Sequence, residues 1–201
     1  MNRQRFVLAC VVACSLADAA RSEEKTYVKE RLYAWKLGIK LSTAAWAHYQ
    51  GASKEDVDSY LDACRTMANK GLGTDIPAFP AKKDTAAENG ALAMKYITTI
   101  GGKPIGQNLA KQFGNEVACL FELAMKARLT LVVYQAKKGD ELNAELESAL
   151  ARSGKGSALP EALWQPLVTK IKDVATEEEV KREVLRLDEE VTRHLLAEMK
   201  K

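Results

Sequence analysis

Apolar residues in this chain recur three and four positions apart through most of its length, and that spacing constrains the fold more than any other feature. A period near 3.6 gathers such residues on one side of an α-helix, whereas a half-buried strand needs strict alternation. The runs are also punctuated. Gly51, Gly71 and Gly101-Gly102 close them, and Ser53, Asp84 and Thr176 open them as N-caps. The chain therefore reads as all-α, a bundle of about six or seven helices whose short connections make sequence neighbours antiparallel.

The first helix is expected from about Glu23 to Gln50. Lys29, Lys36, Lys40 and Thr43 form a narrow polar stripe, and apolar residues such as Leu32, Trp35, Leu37, Leu41 and Trp46 cover the rest. So wide an apolar arc predicts packing against more than one neighbour. A second helix over 54–70 should bury Val57, Tyr60, Leu61, Cys64, Met67 and Ala68, with Gly71 in the left-handed position beyond it. The loop over 71–83 is long for a connection with no structure of its own. It reads either as functional or as a crossing of the bundle end plugged by Ile76 and Phe79.

Asp84 is expected to cap a third helix to about Ile100, with Ala87, Ala91, Met94 and Thr98 in line. Pro104 suits the first turn of the next helical stretch, 104–138, broken near Gly114. Residues 115–138 are the most apolar and should form a central helix. Leu129 to Tyr134 alone could be a strand, but the helical spacing upstream decides for helix. A fifth helix from Gly139-Asp140 carries Leu142, Leu146, Ala149 and Leu150, and 153–157 (SGKGS) reads as a linker. A sixth follows Pro160, with Pro166 bending its first turns. Thr176 and Glu179 make a capping box for the last helix, to about Met199, where Val180, Val184, Leu187, Val191, His194 and Leu195 form one seam. Two heptads fall short of a coiled coil, so packing on the body is expected over packing on a partner.

Arg3 and Arg5, then the apolar run Phe6–Leu16, then Ala17-Asp18-Ala19 have the order of a secretory signal cleaved after Ala19. Val11-Val12-Ala13-Cys14 competes as a lipobox, which would lipidate Cys14 and anchor the chain at the envelope. The expectation is a signal over 1–19 and one helical domain over 20–201, periplasmic or secreted. Across the whole chain 30 Lys and Arg face 27 Asp and Glu, a balance that excludes an electrostatic nucleic-acid binder. No run is long enough to span a bilayer.

The chemically odd residues are few. Arg128 falls opposite the polar stripe Asn115, Glu122, Lys126 and Thr130 of the central helix, on an apolar face. Such a guanidinium needs a carboxylate from a neighbouring helix or serves as an anion site. Cys64 and Cys119 remain after export, and an oxidising compartment permits one disulfide. Only His48 and His194 exist, which excludes a multi-histidine zinc site. His48, on the apolar side of its helix, is either a satisfied structural group or a ligand contact. Axial haem ligation opposite Met67, Met94 or Met125 is a weaker alternative. There is no GxSxG, HExxH, Walker A or CxxC pattern, so no catalytic residue, resident cofactor or metal is assigned. The leading functional expectation is an exported helical module that binds an unidentified protein or small molecule. The alternative is a small-anion ligand-binding protein or enzyme using Arg128.

Overall fold

The computed structural model describes residues 27–74, 76–100, 102–135, 140–173 and 175–201. The signal expected over 1–19, its Cys14, and the first turn from Glu23 lie outside the described residues. All regular structure within them is helical. The helices are α1 (Val28–Tyr49), α2 (Lys54–Gly71), α3 (Ala86–Lys95) continued by a π turn (Tyr96–Ile100), α4 (Gly102–Phe113), α5 (Asn115–Gln135), α6 (Asp140–Gly156), α7 (Glu161–Lys172) and α8 (Glu177–Glu198).

α1 and α5 form the centre of the bundle. α1 packs on α5, α2, α3 and α8, and α5 also takes α4, α6 and α8. The two approach unusually closely at Gly38. A Cβ there would lie 2.6 Å from the Phe121 carbonyl and 2.8 Å from Ala124 Cβ, so only glycine fits this crossing. Around it Leu37, Leu41, Phe121, Leu123 and Met125 are fully buried, within one core to which every helix contributes. The wide apolar arc of α1 is thus matched by several neighbours. Leu129, Val132 and Val133 continue α5 as helix, and Gly114 (φ +89°) makes the break between α4 and α5.

Local capping chemistry sets several boundaries. Ser53 Oγ accepts from the Asp56 amide at 3.0 Å. Thr176 and Glu179 form the reciprocal capping box, which holds the Glu179 carboxyl down at about 2 through its bond from the Thr176 amide. The α8 seam (Val180, Val184, Leu187, Val191 and Leu195) is buried against α7, α5 and α1, each side chain contributing about 2 kcal/mol by leaving water. It is an internal seam.

Five expectations are corrected. Tyr60, expected on the buried face of α2, is exposed. Gly71 ends α2 inside the helix, and Gly73 takes the left-handed backbone (φ +58°). Thr85, not Asp84, caps α3, its Oγ1 accepting from the Glu88 amide. The inward face of α3 and the π turn is Ala93, Tyr96 and Ile97, while Ala87, Ala91 and Thr98 face water. Tyr96 and Ile97 carry more apolar area than Ala and Thr, so they win the core. Residues 153–157 are not a linker: α6 runs through Gly156, and Ser153 and Ser157 are buried. Gly154 lies flat against the Trp164 indole and Gly156 against Cys119, so these glycines let helices touch.

Candidate functional site

The C-terminal turn of α1, the face of α2 beyond it, and the loop between α2 and α3 enclose a cleft of about 390 Å³. Loop carbonyls have no helical partner and need donors from elsewhere. Pro80 O accepts from the Tyr49 hydroxyl at 3.2 Å and lies 3.4 Å from His48 Nε2, while Pro77 O accepts from the Tyr96 hydroxyl at 3.0 Å. Burial pushes the Tyr49 phenol up to about 12 and raises Tyr96 further, so both stay protonated donors.

Aromatic packing completes the strap. Phe79 stacks on His48 (5.0 Å between centroids, 21° between planes) and meets Tyr96 edge-on at 4.6 Å. These offset and edge-to-face geometries are the favoured ones for π systems. Ile76 is fully buried beneath the loop. The loop is therefore a fixed wall of the cleft, and the two residues expected to plug the bundle end both pack there.

α2 supplies the opposite wall. Lys54, Asp58, Leu61 and Arg65 fall on one face at helical spacing, with Val57 beside them. Val57 and Leu61 are buried, and Phe79 and Ala78 close the apolar side. The polar rim carries Lys54, Arg65 and Lys82 against one carboxylate, Asp58, which pairs with Lys54. Arg65 reaches Asp62 only at 3.9 Å, and Lys82 has no carboxylate partner among the described residues. Desolvation lowers the pKa of His48 below its ordinary 6.5, and the charge of Lys82 adds to this; the Pro80 carbonyl and Asp58 oppose it. His48 is therefore neutral at neutral pH, in a cleft where cations outnumber anions.

The other sequence candidates lie elsewhere. Arg128 is not fully buried: its guanidinium donates to Asp188 Oδ2 of α8 at 2.8 Å, while Asp188 Oδ1 accepts from Trp35 Nε1 at 3.2 Å. This is the interhelical carboxylate that an arginine on that face requires. His48 stands 13 residues beyond Trp35 on α1, about 20 Å along the axis, so Arg128 and His48 are not brought together. Cys64 and Cys119 are free thiols and form no disulfide with each other. Cys64 is buried on α2, where desolvation raises it to about 11, and Cys119 packs on Gly156 of α6. His194 Nε2 lies 3.1 Å from Glu198 Oε1 on the half-exposed flank of α8. Met125 lines a different cavity from His48.

Sequence reasoning missed two groups. Arg31 is the most buried charged side chain among the described residues, 7% exposed. Its Nη1 donates to Glu198 at 2.6 Å, and its Nε lies 2.8 Å from Glu116 in an ion pair outside good hydrogen-bond alignment. Its place among Leu32, Ala34 and Trp35 carried that signal. The cation-rich rim was also missed: the α2 spacing was readable, but Lys82 joins it only through the loop. Among the described residues no cluster of three metal-ligating side chains occurs, and no helix is long and apolar enough to cross a membrane. No known protein family, curated protein or solved structure matches the chain.

Proposed function

We propose that this protein is an exported helical binding module whose ligand is a small amphiphilic anion held in the His48 cleft. One observation carries the reading: an apolar-walled cavity of about 390 Å³ has three cations and one carboxylate on its rim. Apolar walls supply affinity for a hydrocarbon or aryl body, and the convergent cations select its negative end. Export rests on the order of charge, apolar run and small residues over 1–19. The apolar seam of the last helix is buried within the bundle and offers no exposed stripe to a protein partner.

Calorimetric titration with naphthalene-1-sulfonate tests the reading, with 1-naphthalenemethanol and inorganic phosphate as the uncharged and purely ionic arms. The sulfonate binds best of the three, and Arg65→Ala with Lys82→Ala weakens it about tenfold. Equal binding by the alcohol, or an unchanged affinity in the double variant, overturns it.

A further inference from the structure

A second cavity, of about 160 Å³, lies between the π turn, the start of α4 and the middle of α5, on other residues than the cleft. Ile97, Met125 and Leu129 form its apolar floor. That volume is close to one that admits a benzene-sized group. The rim is polar and carries both signs of charge: Lys103 and Lys126 with Glu122. Glu122 and Lys126 are one turn apart on α5 and pair at 2.8 Å.

The pair leaves capacity over. Lys126 Nζ donates to Glu122 Oε2 and to the buried Ser153 Oγ, both at 2.8 Å, which uses two of its three donors. Glu122 Oε2 takes both the lysine and the Ser153 contact at 3.4 Å, and Oε1 has no partner among the described residues. Oε1 lies over Gly106, 3.4 Å from where a Cβ would sit, so the missing side chain on α4 keeps space above that oxygen. Lys103 has no carboxylate partner among the described residues.

A ligand bearing only a carboxylate would meet Glu122, and one bearing only an amine would meet two lysines. A ligand with an ammonium and a carboxylate on the same carbon satisfies all three side chains while its apolar end fills the floor. We propose that this cavity is a binding site for a free α-amino acid with an aliphatic side chain about the size of leucine. Its ammonium goes to Glu122 Oε1 and its carboxylate to Lys103 and the remaining donor of Lys126.

The test follows the Met125 methyl resonance of the protein during titration with L-leucine, 4-methylpentanoate and isopentylamine. These share one hydrocarbon end and differ only in charge. Leucine shifts the resonance saturably, and the two singly charged analogues bind at least about tenfold more weakly. Glu122→Gln removes the discrimination, lowering leucine affinity about tenfold without weakening 4-methylpentanoate. Gly106→Ala, whose added methyl makes only ordinary contact and shields Oε1, weakens leucine in a chain with unchanged circular dichroism. No shift up to about 10 mM leucine, equal binding by 4-methylpentanoate, or wild-type leucine affinity in Glu122→Gln each overturns the assignment.

Discussion

The two ends of α1 treat charge in opposite ways. Near its start Arg31 is enclosed, with Glu116 and Glu198 on its guanidinium and the Ser157 carbonyl beyond at 3.4 Å. One turn on, Trp35 and Arg128 share Asp188. Along α8 Arg186, held by Glu183 and Glu190 of its own helix, also donates across to the Leu163 carbonyl of α7 at 2.8 Å. At the far end His48 faces a cleft where Lys54, Arg65 and Lys82 have a single lining carboxylate between them. Cations that cross-link helices are matched where they sit, because an unmatched charge out of water is costly. Cations left unmatched must stay where water or a ligand reaches them, as Lys82 does on the rim of the cleft. The difference separates side chains that hold the bundle together from side chains free to recognise something else.

The comparison breaks most readily at Arg31. Arg31→Ala strips one partner from two ion pairs and empties a buried site, and stability should fall by about 2 kcal/mol, read from urea midpoints at constant slope. The full cost for enclosed pairs is higher, but both carboxylates keep some water. A loss below about 0.5 kcal/mol would place Arg31 with the cleft cations, as a solvated charge. The converse test uses Arg65→Ala with Lys82→Ala: stability should change by less than about 0.5 kcal/mol, or rise as like charges are removed. A loss as large as that of Arg31→Ala would make those cations structural and leave the cleft without its distinguishing feature.

The same contrast explains what could be read from the sequence. Ser53, the Thr176–Glu179 box and the α8 seam were legible because their physics is local: a hydroxyl one turn from an amide, a stripe along one helix. Arg128 was legible in kind, since an arginine on an apolar face demands a carboxylate, but nothing local says that Asp188, 60 residues on, supplies it. Asp84 and Thr85 are adjacent capping residues, and propensity does not choose between them. SGKGS misled because glycine serves both flexibility and close approach, and the choice is made by Trp164 and Cys119 on other helices. The cleft was the least legible part. His48 could be placed on the apolar side of α1, but its surroundings come from Phe79 and Pro80, which reach it across a loop.

That loop contact gives the smallest effect and the most specific one. The folded pKa of His48 lies below its ordinary 6.5, chiefly through desolvation and then through Lys82. On acidification the unfolded chain therefore takes up this proton before the native state does. The His48 contribution is complete above about pH 6.5, falls as pH drops through that value, and levels off once the lowered folded pKa is passed. His48→Gln should flatten the urea midpoint between about pH 7.5 and 5 relative to the wild type. Naphthalene-1-sulfonate at saturation should flatten the wild-type profile too, because an anion beside His48 opposes the depression that Lys82 helps to cause. If His48→Gln keeps the wild-type slope, the ring is solvated and the stack on Phe79 does not form the cleft wall. If the slope flattens in the variant but the sulfonate leaves the wild type unaffected, the wall stands and the anion does not enter beside it.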